Sequence, residues 1–352
     1  MSILPDYGSS PIPAFRQWEA VRALEQPQRV LRTDMYDGHA LEISIRTMRE
    51  EDVPQADRIM RLAFGTYLGM PEPEATMGDR DFVGTRRRAN PANAFVAECD
   101  GRIVGSNVAA RWGSVGFFGP LTVSPELWNR GVAKRLMEPV MDLFAGWNTA
   151  CAGLFTFADS ERHVGLYQRF GFWPRFLTAL MAKPVEPRPA VAAATPFSAT
   201  AAGERAGMLD ACREVAGSVF EGLDLTAEIR AVEDQRLGDT LLLWSGSRLT
   251  GFAVCHTGAG TEAGSGTSYV KFAAVRAGAG GDAFATLLYA CEAHAAASGA
   301  GVLTAGVNLG RHEAYRRLLA QGYRTQMQGI AMHKDNVAGY SVPGAFVIDD
   351  WR

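Results

Sequence analysis

Arg130, Gly131 and Lys134 stand where a strand-like run gives way to a helix-like one. The run before them, Val115-Gly-Phe-Phe-Gly-Pro-Leu-Thr-Val123, is rich in aromatic and β-branched residues that favour strands. Ser124-Pro125-Glu126 breaks it. From Val132 onward, Leu136, Val140 and Leu143, with Met137 and Phe144 beside them, follow helical spacing. A helix starting here leaves its first N–H groups and the positive end of its dipole bare. Gly131 and Ala133 keep that end uncluttered and the two basic side chains add charge, so the stretch can cradle a phosphate.

The elements that must position this cradle follow from the pattern on either side. Leu41 to Met48 alternates apolar and polar residues as a half-buried strand. Acidic residues and Pro54 then open a helix with a stripe of Ala56, Ile59, Met60, Ala63 and Phe64. An acidic loop (Glu72, Glu74, Asp79, Asp81) leads to a second helix near residues 81–89, whose Arg86-Arg87-Arg88 run reads as a solvated face. Ala94 to Asn107 is a hairpin turning at Asp100-Gly101. After the central helix come a buried strand at 152–157, a helix at 160–170 ended by Gly171, and an apolar strand at 172–183. The order is β-α-α-β-β-β-α-β-α-β, with the strands around residues 121 and 155 expected to be parallel neighbours.

Residues 184–200, rich in Pro and Ala, read as a linker. Beyond it the series recurs: a helix at 208–220, a hairpin at 240–254, a strand at 269–275 and another at 301–307. Val275 to Leu288 aligns without a gap on Val123 to Leu136. In that register Arg130 becomes Asp282, Gly131 becomes Ala283 and Lys134 becomes Thr286, so the second cradle repels an anion where the first attracts one; a competing register, with Gly278-Ala-Gly-Gly in the loop, restores glycines but not the basic residues.

Trp128-Asn129-Arg130-Gly131-Val132-Ala133 resembles motif A of the GCN5-related N-acetyltransferases, Gln/Arg-x-x-Gly-x-Gly/Ala, departing at its first position, where Trp128 stands. Leu166-Tyr167-Gln-Arg-Phe170-Gly171-Phe172 resembles their Leu-Tyr-x-x-x-Gly-Phe segment. The element order over residues 41–183 is theirs as well. The resemblance implies an α/β (α+β) fold of two tandem acetyltransferase-like domains. Each is a mixed, mostly antiparallel sheet with a splayed parallel central pair flanked by helices. The divisions are an N-terminal arm at 1–40, a catalytic domain at 41–183, the linker, and a degenerate domain at 201–352. It further implies acetyl-CoA as acyl donor and no metal. Its pyrophosphate would sit on Trp128, Asn129, Arg130, Gly131, Val132, Ala133 and Lys134, and its pantetheine along Leu121, Thr122 and Val123, with Ser160 and His163 on the cofactor side. Tyr167 takes the catalytic role, protonating the departing thiolate; a phenol with a pKa near 10 carries its proton at neutral pH. In the second copy Leu318 takes the equivalent place before Gly322.

The base stays open among Asp159, Glu161, His163, a water chain and the terminal carboxylate, because Gly116 to Pro120 carries no carboxylate. Phe64, Tyr67, Trp112, Phe117, Phe118 and Trp173 are candidates for an apolar pocket wall, with core packing as the alternative. The expected reaction is direct attack by the amine of a small molecule on acetyl-CoA; the alternative is a protein that binds or senses acyl-CoA without turnover. Composition sets bounds on partners. Net charge is −3 with no basic tract, which argues against nucleic acid. No apolar run is long enough to cross a membrane and no secretory signal precedes the fold. Five scattered cysteines without a C-x-x-C, and six histidines without metal spacing, point to reduced thiols in a cytoplasm and no metal site. Association of copies and the identity of the acceptor are left open.

Overall fold

The computed structural model describes residues 42–352, and before them a short antiparallel pair, Met35–Tyr36 with His39–Ala40, in a separate unit. The amphipathic piece read at residues 15–24 of the arm lies outside the described residues. In residues 42–352 the first half opens with β1 (Ile43–Thr47), α1 (Val53–Tyr67) and α2 (Val83–Ala89). Pro54 sits in the first turn of α1, which buries Ala56, Ile59, Met60 and Ala63. β2 (Ala94–Cys99) and β3 (Arg102–Trp112) form the expected hairpin, with Asp100 and Gly101 both at positive φ. The long strand expected at 115–123 is interrupted: β4 (Val115–Phe118) and β5 (Thr122–Val123) flank Gly119-Pro120-Leu121. Then come α3 (Val132–Trp147), β6 (Cys151–Thr156), α4 (Glu161–Gln168) and β7 (Phe172–Pro184).

The second half comprises β8 (Ala194–Pro196), α5 (Arg205–Val219), α6 (Thr226–Gln235), β9 (Gly238–Ser245), β10 (Arg248–Gly258) and β11 (Gly264–Val275). It continues through α7 (Gly280–Ala297), β12 (Val302–Asn308), α8 (His312–Ala320), β13 (Arg324–Lys334) and β14 (Val347–Ile348). The stretch read as a linker is in part a strand, because Ala194–Pro196 pairs with Leu241–Leu243 of β9. α6 was not foreseen. It buries Ile229 and Val232, and Asp224 accepts a hydrogen bond from its first residue, Thr226, at 2.8 Å.

Both halves share one 14-stranded sheet in the order β8-β9-β10-β11-β12-β7-β13-β6-β4-β3-β2-β1, with β5 on β3 and β14 on β11. The last strands are exchanged. β7, from the first half, pairs with β12; β13, from the second, pairs with β6; and the two cross the boundary side by side. The core crosses it too, with Trp112, Val115 and Phe117 packed among Phe252, Phe272 and Trp351. On the opposite face of the first half, α3 and α4 cover Phe118, Ala152, Leu154 and Phe172.

Candidate active site

β4 and β6 run parallel and pair where Val115–Phe117 meets Cys151–Gly153. Beyond those residues they part, the parallel, splayed central pair expected, so the segments around 121 and 155 face each other without a ladder. Thr122 and Val123 pair with Ser106 and Gly105 of β3. Leu154 to Thr156 pair on their other side with β13. A slot opens between Leu121–Val123 and the end of β6, edged by backbone groups that neither ladder uses, the condition for an amide-bearing chain to add as a strand. Gly105 permits the outward course of β5, since a Cβ there would lie 2.7 Å from the Thr122 carbonyl oxygen.

The slot leads to the start of α3. Gly131 is its N-cap residue, at φ +79°, with no side chain capping the helix. Asn129, also at positive φ, Gly131 and Lys134 are exposed, and Arg130 and Ala133 are half-buried. Val132 is 1% exposed, so its side chain serves the core and only its backbone faces the loop. The Trp128 indole folds back along the slot: its Nε1 donates to the Val123 carbonyl at 2.8 Å, and the Arg162 guanidinium of α4 lies 5.9 Å from its ring. The residue that departs from the motif therefore ties the loop to β5.

On the other lip, Tyr167 projects from α4 into the packing around Phe118, whose ring lies 5.6 Å away, edge on. Burial pushes its phenol above the ordinary range, partly offset by a hydrogen bond with the Thr156 side chain, so it keeps its proton at neutral pH. Ser160 is the N-cap of α4; its hydroxyl accepts from the His163 backbone N–H at 3.4 Å. The His163 ring faces Tyr67 at 5.3 Å and Phe157 at 6.4 Å. Burial, then Arg162, lowers its pKa, against the pull of Asp159. Tyr67 donates to Asp159 Oδ1 at 3.3 Å and packs on Phe157 at 4.7 Å. The last turn of α1 is thus fastened over the end of β6, a tie between residues far apart in sequence that no local pattern announces. Of the other pocket candidates, Trp112 and Phe117 are edge on at 4.6 Å in the shared core, and Trp173, 47% exposed on β7, lies apart.

Within the Arg86-Arg87-Arg88 run, Arg88 is exposed as expected of a solvated face, but Arg86 is not. Arg86 is 7% exposed; its guanidinium donates to both oxygens of Glu262 at 2.8 and 2.9 Å, to the Gly119 carbonyl at 2.7 Å, and to the Arg352 carbonyl. Glu262 also accepts from Lys271 at 2.8 Å, and Lys271 pairs with Glu228 at 2.8 Å. Burial opposes ionisation of Glu262, but Arg86 and Lys271 outweigh it and hold the carboxyl below its usual range. A charged cluster built mainly by the second half thereby grips the backbone where the slot begins. The acidic loop is likewise largely engaged. Glu74 holds Arg58 at 2.8 Å, Asp79 accepts from the Ser265 backbone at 2.9 Å, and Asp81 accepts from the Gly84 N–H at 2.6 Å.

Residues 56–172, from α1 to the start of β7, match the acetyltransferase (GNAT) family profile. Residues 56–172 belong to the GNAT acetyltransferase family. Solved structures extend the GNAT likeness to the whole fold. A Pyrococcus horikoshii protein described as a candidate acetyltransferase covers 93% of this chain and 99% of its own, at TM-score 0.64 and 13% identity. A GCN5-related N-acetyltransferase from Sphaerobacter thermophilus covers 83% and 95%, at 0.54 and 15%. A tandem GNAT protein from the clavulanic acid biosynthesis pathway covers 83% and 98%, at 0.51 and 14%. At these identities the likeness is one of fold. No curated protein matches the sequence. The chain is thus an α/β protein with a GNAT domain in its first half and a GNAT-like tandem arrangement overall. Among the described residues no His, Cys, Asp or Glu group could hold a metal ion, no helix is long and apolar enough to cross a membrane, and all five cysteines are buried and unpaired.

Proposed function

We propose that the first half is an acetyl-CoA-dependent N-acetyltransferase that acetylates an amine of a small molecule by direct attack. The observation that carries this reading is the continuity of the open slot with the uncapped Gly131 end of α3. The Val123 N–H and the other edge groups outside the ladders suit the amides of a pantetheine arm, the Val123 carbonyl being taken by the Trp128 indole, and the bare N–H groups with Arg130 and Lys134 suit a pyrophosphate. Acetyl-CoA supplies an activated acyl carbonyl. A backbone N–H near Thr122 or Val123 polarises its oxygen. The amine nitrogen bonds to the acyl carbon as the C–S bond breaks, and Tyr167, kept protonated by burial, gives its proton to the sulfur. Asp159, Glu161, His163 or a water chain takes the amine proton.

A second reading, an acyl-CoA sensor without turnover, draws support from the missing carboxylate on Gly116–Pro120. Tyr167→Phe separates the two. The enzyme reading expects turnover, followed as free thiol across an amine panel, to fall about 10²-fold or more, while the rise in Tm with CoA persists. Turnover that survives the change removes Tyr167 from catalysis. If the unaltered chain gains stability with CoA but acetylates no amine, the sensor stands. No rise in Tm with CoA removes both.

A further inference from the structure

The second half repeats the slot. In the ungapped register that lays Val275 on Val123, Thr267 falls on Val115, and Thr267–Val270 pairs in parallel with Val302–Ala305 as Val115–Phe117 does with Cys151–Gly153. The opening beyond that ladder is filled. Ala273 and Ala274 pair antiparallel with Ile348 and Val347, and the Val275 N–H donates to the Phe346 carbonyl at 3.3 Å. Ala274 is the counterpart of Thr122, so this backbone edge is the one left open in the first half. Val347 and Ile348 are both 0% exposed.

The residues that follow are held by polar partners inside the groove. Asp349 binds the buried Arg311 guanidinium through both oxygens, at 2.9 and 3.0 Å. Asp350 accepts from the Tyr269 hydroxyl at 3.0 Å and presses on Gly306 of β12 so closely that no Cβ fits there. Trp351 then leaves the groove for the first half, stacked on Phe117 at 6.2 Å and against Gly153, the last ladder pair before the first slot opens. The helix end that would face a phosphate has changed as well. α7 starts a turn earlier than α3 does in that register, and Asp282, 98% exposed, pairs there with Arg317 at 3.3 Å.

We propose that the second slot is a peptide groove whose occupant is the 347–350 segment of the same chain, standing where the first slot takes a pantetheine arm. The proposal rests on the acyl-CoA reading only for the ligand count: each chain then binds one acyl-CoA, in the first half.

Hydrogen exchange on the full chain without ligand tests the groove directly. The amides of Val275 and Ile348, which the antiparallel register directs across this ladder, are expected to exchange slowly and to stay so in excess acetyl-CoA. Fast exchange, or exchange quickened by acetyl-CoA, overturns the proposal. Calorimetry with acetyl-CoA tests the count. One site is expected, lost in Arg130→Glu/Lys134→Glu, while two sites, or one that survives that double substitution, overturn the proposal. Zero sites in the unaltered chain overturns the acyl-CoA reading instead, and exchange then decides the groove alone.

Discussion

His256 is wholly buried, and neither ring nitrogen has a hydrogen-bond partner. It lies beside Lys271 and Glu228, with Arg86, Glu262 and Tyr269 close by. Burial, then the Lys271 and Arg86 charges, push its pKa down to about 4, against Glu262 and Glu228. His333 is held at about 4 for the same leading reason, burial. In the unfolded chain each titrates near 6.5, so between pH 6.5 and 4 the unfolded state binds more protons than the folded one. Stability is therefore expected to be level above pH 6.5 and to fall as pH drops from 6.5 to 4, by up to about 3 kcal/mol per histidine. Urea unfolding across that range reads the slope, and His256→Gln should remove close to one proton from it. An unchanged slope means His256 takes up a proton in the fold as readily as in water.

At the scale of elements, the strand–loop–helix from β4 to α3 turns on Gly131, at φ +79° and free of nearby atoms. Gly131→Ala has room for its methyl group but not the backbone freedom, so it is expected to cost about 1 kcal/mol. It should also weaken CoA tenfold or more by turning the first N–H groups of α3. Calorimetry showing wild-type affinity would mean that the loop tolerates another conformation. Most elements around this turn were legible in the sequence because their signals are local. Asp100-Gly101 marked its hairpin, Gly171 its helix end, and Val132 onward its helix. α6 was legible in principle, from Asp224 just before its start and Ile229 and Val232 one turn apart. Pairing was not. Arg86 meets Glu262 across 176 residues, and nothing in Arg86-Arg87-Arg88 says which arginine turns inward. The exchange of β7 and β13 is invisible for a related reason. Two halves with one pattern offer each strand two equivalent berths, and only the packing of the whole chooses.

At the scale of the molecule, the two halves are complements. β6 of the first is paired on one side by β13 of the second, and β12 of the second by β7 of the first. Residues 42–190 expressed alone would leave one edge of β6 bare and β7 without either partner, and are expected to aggregate. Co-expression with residues 191–352 should restore a soluble complex. A soluble 42–190 fragment with sharp, cooperative melting would show that β7 can close its own half.

The exchange also sets a timetable for synthesis. While the ribosome is still making the second half, β6 waits with one edge open, and the slot beside it has only one finished wall. β13 starts 168 residues after β6 ends (Thr156 to Arg324), so roughly ten seconds or more pass at ordinary elongation rates before it can arrive. Through that interval the nascent chain carries an open strand edge, which makes it a client for chaperones, and a ribosome stalled before residue 324 would release a chain that has Tyr167 and the Arg130 to Lys134 cradle yet lacks the strand that pairs with β6.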